Sequence, residues 1–120
     1  VDISKMKLVQ IAPAVDAKTS TQKLYAVTTL RSLTAIDAKP RVPAICTNLR
    51  RAKRIVETNE WDIYEEGYYP YVVIETFNAN ILYSATVGPE YWYMWNKRHG
   101  RYEKIDKPRE LKNVCAFGIG

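Results

Sequence analysis

Four bases crowd five consecutive positions of this chain, Arg50, Arg51, Lys53 and Arg54. They follow Thr47, a good N-cap, and Leu49, Ala52, Ile55 and Val56 recur at helical spacing, so the sequence predicts a helix over residues 48–59. The helix macrodipole favours acids at the N-terminus and bases at the C-terminus. Here the order is reversed, with Glu57 and Glu60 at the far end. Each misplaced charge costs roughly 0.3–1 kcal/mol. Free N–H groups beside arginines make an anion site, and breaches of a local rule concentrate at functional positions. The alternative reading is a solvated basic face, partly offset by the i to i+4 pair Lys53 and Glu57.

A second group of residues able to recognise a ligand is Tyr91-Trp92-Tyr93-Met94-Trp95. As a strand it places Tyr91, Tyr93 and Trp95 on one face and Trp92 and Met94 on the other. Such a strand fills a small core or offers a stacking platform for a base. Arg98 and Arg101 follow it closely, and a guanidinium beside an aromatic ring can meet phosphate while the ring holds a purine.

Covalent and metal chemistry find less support. His99 sits among Lys97, Arg98 and Arg101 with no acid evident in sequence to orient it. Cys46 and Cys115 are far apart and lie in apolar stretches, which suits buried, reduced thiols in a cytoplasmic protein. Neighbouring Glu65 and Glu66 face opposite ways in a strand and read better as a solvated turn. No glycine-rich phosphate loop or zinc spacing is present. No catalytic residue, metal or cofactor is expected.

The distribution of charge says more than its total. Residues 1–54, 55–90 and 91–120 carry +8, −7 and +4, for a net of +5, and 12 of the 14 aromatic residues lie between Trp61 and Tyr102. Such polarity suits an anionic partner, or a second copy of the chain meeting acid with base.

Residues 1–120 read as one α+β domain with a mainly antiparallel sheet. Residues 1–5 carry no argument, since a chain starting at Val1 suggests a processing remnant. Met6–Val15 is a poor signal peptide, because Gln10 and Pro13 interrupt it. Strands are expected at Met6–Ile11, Lys23–Arg31, Val42–Cys46, Tyr68–Phe77, Ile81–Ser84 and Val114–Ile119. A hairpin joins Tyr91–Asn96 to Arg101–Ile105, and a short helix is expected over about 107–112, near Pro108. Every apolar run falls short of the roughly 20 residues a bilayer span requires.

Three stretches, GYYPYVVIE at 67–75, YWYMW at 91–95 and KPRELKNVCAFGIG at 107–120, resemble segments of small uncharacterised proteins of bacteriophages and their bacterial hosts. The resemblance covers roughly the last half and implies a phage accessory protein acting in the host cytoplasm. Proteins of that kind often bind and block host defence components. The reading that joins these threads is a non-enzymatic, homo-oligomeric protein capturing a small anionic nucleotide, as a sponge does with host immune signals. Arg50, Arg51 and Arg54 would meet the phosphates, Trp92, Tyr93 or Trp95 the base, and Arg98 or Arg101 would complete the charge. A protein-binding inhibitor using the acidic aromatic stretch 57–66 and a nucleic-acid-binding domain are the alternatives.

Overall fold

Alternating side chains make Lys23–Leu30 a strand, β1, and every residue from Ala26 to Leu30 is buried. The computed structural model describes residues 22–34, 36–79 and 87–111. The other elements are β2 (Arg41–Cys46), α1 (Leu49–Glu57), β3 (Tyr71–Asn78), β4 (Tyr91–Asn96) and β5 (Arg101–Ile105). They form one antiparallel sheet in the order β2-β1-β3-β4-β5, so the chain is α+β as expected. β3 is central, and its run from Val72 to Phe77 is buried on both faces. β1 pairs with it along all eight residues.

β2 and β3 both run antiparallel to β1 and are therefore parallel to each other. A parallel connection needs a crossover, and α1 provides it. The β1–β2 register shifts between Val27 and Thr29, opposite the part of β2 that holds Pro43, a residue with no N–H to give. Pro70 acts similarly on β3, which begins at Tyr71 rather than Tyr68.

α1 packs on one face of the sheet. Ala52, Ile55 and Val56 meet Val27, Val72, Ile74, Tyr93 and Tyr102 there. On the other face Leu30, Val73, Trp92 and Leu111 form a second cluster. The helix is two turns and a half, shorter than expected, and Asn48 rather than Thr47 caps it. Asn48 has extended backbone, φ −132 and ψ 123, and its side chain accepts from Arg51 N at 3.0 Å.

The β4–β5 hairpin turns through Lys97–Gly100 as expected. Asn96 Oδ1 accepts from the Arg98 and His99 amides, and Gly100 takes φ +65. The expected short helix is a 3-10 turn, Arg109–Leu111, after Pro108. The strands expected at 6–11, 81–84 and 114–119, and Cys115, lie outside the described residues.

Between α1 and β3 the chain makes two 3-10 turns, Glu60–Asp62 and Glu65–Gly67. Asn59, Trp61, Asp62, Glu65 and Glu66 all have positive φ, between 47 and 57. Such conformations cost about 1–2 kcal/mol each for residues other than glycine. Local contacts hold them: Asp62 N donates to Asn59 O at 2.9 Å, Tyr64 N donates to Asn59 Oδ1 at 3.0 Å, and Ile63 is buried.

Candidate functional site

Because Ala52, Ile55 and Val56 face the sheet, α1 turns Arg50 and Arg54 to solvent. With Leu49, Lys53, Glu57 and Thr58 they line an open groove of about 590 Å³. No acid lies in the first helical turn, but the helix ends at Glu57 and Arg54 falls in its last turn, where a base suits the dipole, so the reversed polarity read from the sequence holds only in part. Lys53 does not pair with Glu57; its ammonium sits over the Tyr91 ring, 4.6 Å from the centroid. Among the described residues no carboxylate pairs with Arg50, Lys53 or Arg54. Three cations thus border one groove without a carboxylate partner among the described residues.

Arg51, the fourth base of the cluster, is committed elsewhere. Its guanidinium grips Glu60 bidentately, at 2.9 and 2.6 Å. The hydrogen bond and the charge of Glu60 raise the basicity of Arg51. The same hydrogen bond holds the Glu60 carboxyl below its ordinary range. Close by, burial pushes the Cys46 thiol up while the charge of Arg51 pulls the other way. A second pair joins Arg41 to Glu65.

The aromatic residues of β4 face as the sequence predicts, yet the fold does not bring them to the arginines as a platform. Trp92 is 2 % exposed in the cluster on the sheet face away from α1. Its indole donates to Glu90 Oε1 at 2.9 Å. Tyr93 is buried beneath α1, and burial, the charge of Glu57 and the nearby Tyr91 push its hydroxyl up to about 12. Trp95 is half-buried, stacked on Tyr64 with centroids 3.8 Å apart and edge-on to Tyr102 at 5.0 Å. Tyr102 in turn donates to the Tyr69 carbonyl at 2.5 Å. Trp92 and Tyr93 are core, Tyr91 and Trp95 are half-buried, and one face of Trp95 is occupied by Tyr64.

Arg98 and Arg101 lie at the other end of the strand from Lys53. Lys53 rests on Tyr91, where β4 begins, whereas Arg101 pairs with Asn96, where it ends. Five residues of strand separate the two by about 17 Å. Arg101 also binds Glu103 at 3.2 Å. Of the eight residues singled out in sequence, the fold therefore groups Arg50 with Arg54 and sets the other six apart from them.

Sequence reasoning fell short on three points. Lys53 was counted in the basic cluster but left out of the ligand set, although its i to i+3 spacing from Arg50 places it beside the same groove. His99 does have an acidic partner, since Nδ1 lies 2.7 Å from Glu103 Oε2, and Asn96 Nδ2 donates to Glu103 Oε1 at 2.7 Å. Hydrogen bonds from Asn96 and His99 hold the Glu103 carboxyl below its ordinary range. Finally, Trp61 is 94 % exposed, a fact that aromatic content alone could not reveal. Among the described residues no three His, Cys, Asp or Glu side chains converge as a metal site. No helix among them is long and apolar enough to cross a membrane.

Comparison with protein families, with curated proteins and with solved structures finds no match for this chain.

Proposed function

We propose that this chain is a non-enzymatic binding protein that takes a nucleotide by its phosphates on the outer face of α1. The observation that carries the reading is the open groove bordered by Arg50, Lys53 and Arg54, none of them paired with a carboxylate among the described residues. Phosphate oxygens accept charge-assisted hydrogen bonds from guanidinium and ammonium groups, and the arginine fork can engage two at once. The aromatic faces of Trp92 and Tyr93 are in the core. Recognition therefore rests on the number of phosphates more than on the base. With the resemblance of residues 67–120 to phage proteins, capture without turnover supports a sponge for signalling nucleotides of the host.

A thermal-shift series over nucleoside mono-, di- and triphosphates and cyclic dinucleotides tests this, because a ligand that binds only the folded state raises the melting temperature by mass action. The expected shift grows with phosphate number and shrinks with added salt. Recovery of the ligand unchanged after denaturation is the second expected result. A converted product, or no shift with any phosphorylated compound, contradicts the proposal.

One observation favours a different partner. Trp61 projects from a turn rich in acids, with Asp62 and Glu66 exposed beside it. An exposed indole among acids is the composition of a hot spot for a basic protein surface. On that reading binding to a protein is salt-sensitive and Trp61→Ala abolishes it, while nucleotides have no effect.

A further inference from the structure

A free indole with 94 % of its surface exposed is unusual, because tryptophan has more apolar area to hide than any other side chain. The left-handed backbone at Asn59, Trp61 and Asp62 turns this ring outward, while Ile63 anchors the same turn in the core. The ring itself, with Glu60, borders a groove of about 290 Å³. Pro43, Ala44, Ile55 and Ile63 supply its apolar surface, and Arg41 and Arg51 stand at its sides. Both arginines are pinned there, Arg41 by Glu65 and Arg51 by Glu60. Ala44, Arg51 and Ile55 also line a second groove that continues past Ile45 and Cys46. β2 is the edge strand on this side of the sheet, so the patch has no neighbouring strand among the described residues.

We infer that this patch is a two-fold interface between two copies of the chain, the Trp61 of each seated in the other's groove beside Pro43 and Ala44. A two-fold contact must be self-complementary within one patch. Here the projecting ring and the hollow adjoin. The arginines at the groove sides offer guanidinium planes to an incoming indole, a cation–π contact. Charge follows the same pattern. Asp62 and Glu66, exposed in the same turn as Trp61, make no ion pair among the described residues, nor do Arg50 and Arg54, which line the separate groove on the outer face of α1. A dyad through the patch brings the acids of one copy toward the bases of the other, which steers association and fixes register.

The area sets the strength. Each indole buries roughly 150–250 Å². Two of them with their groove walls fall short of the roughly 1,200–2,000 Å² of a stable interface. The pair is therefore a weak, reversible dimer. Trp61 and the groove walls do not line the α1 groove proposed for nucleotide, so Trp61→Ala and Pro43→Arg test the dimer alone, whereas Arg50 and Arg54 serve both readings.

Sedimentation velocity of the full chain from micromolar to millimolar concentration, with tryptophan emission read on the same samples, tests the inference. Trp92 is buried and Trp95 is stacked, so the solvent-sensitive part of the emission comes from Trp61. The expected result is a monomer–dimer transition accompanied by a blue shift and weakened several-fold by high salt. Trp61→Ala abolishes the dimer with an unchanged circular dichroism spectrum. Pro43→Arg, which fills the groove but keeps the ring, abolishes it too and leaves the emission red at every concentration. A monomer throughout overturns the inference, as does a dimer that survives either substitution.

Discussion

The Tyr93 hydroxyl gives the sharpest test of how α1 packs on the sheet. Its side chain is 3 % exposed, beneath the helix. Burial first, then the negative charge of Glu57, pushes its pKa up to about 12. In the unfolded chain a tyrosine releases its proton near pH 10, so above that value the folded state holds a proton the unfolded state has lost. Stability contributed by the buried phenol is complete below about pH 10 and falls as pH rises. The slope is about 1.4 kcal/mol per pH unit, or about 2.7 kcal/mol by pH 12. Burial also raises the Tyr102 hydroxyl, which adds a slope of the same sign. The informative comparison is with Tyr93→Phe, which removes one phenol and keeps the ring. Urea unfolding of both proteins between about pH 9 and about pH 12, followed by far-ultraviolet circular dichroism, measures the difference. The wild type should lose about 1.4 kcal/mol more per pH unit than the variant above pH 10. Parallel stability curves would mean that Tyr93 titrates normally and that α1 does not cover it.

Three further substitutions probe the fold. Thr28 Oγ1 is buried without a hydrogen-bond partner among the described residues, opposite Val73, so Thr28→Val should stabilise by about 1 kcal/mol and raise the melting temperature by several degrees. A lower melting temperature would show that the hydroxyl is bonded. Asn48→Ala removes the cap that accepts from Arg51 N and should cost about 1 kcal/mol in urea unfolding; no change would mean that α1 starts elsewhere. Glu66→Gly relieves a positive φ of 51 at an exposed position, and a gain of about 1 kcal/mol is expected by the same measurement. A loss there would show that the side chain itself supports the turn.

What was legible in the sequence follows from short-range geometry. Neighbouring strand residues must face opposite ways, and so the two faces of Tyr91–Trp95 and of Tyr71–Phe77 could be read directly. The hairpin at Lys97–Gly100 was equally plain, because Asn96 before it and Gly100 at its end suit the turn. Once that hairpin is drawn, Glu103 falls on β5 near Asn96 and the acidic partner of His99 could have been found. Which face a helix would cover depends on contacts between distant residues. That is why the sequence left Trp92, Tyr93 and Trp95 open between core and platform, whereas in the fold Trp92 and Tyr93 are core and Trp95 is half-buried against Tyr64. The division of the basic cluster was hidden for the same reason, since Arg51 meets Glu60 only when the chain turns back after α1. That turn uses left-handed backbone at five residues that are not glycine, for which the sequence holds no glycine signal before Gly67. Asn48 and Thr47 are both competent caps, and only the backbone angles decide between them.

The central claim, that the outer face of α1 holds phosphate, is tested most directly by isothermal titration of a nucleoside triphosphate into the wild type, Arg50→Glu with Arg54→Glu, and Glu60→Gln. The double charge reversal should abolish binding with an unchanged melting temperature, because both side chains are exposed and make no ion pair among the described residues. Glu60→Gln, which frees Arg51 of its carboxylate, should leave binding intact or strengthen it. Undiminished binding in the double variant would contradict the account and place the ligand away from the helix.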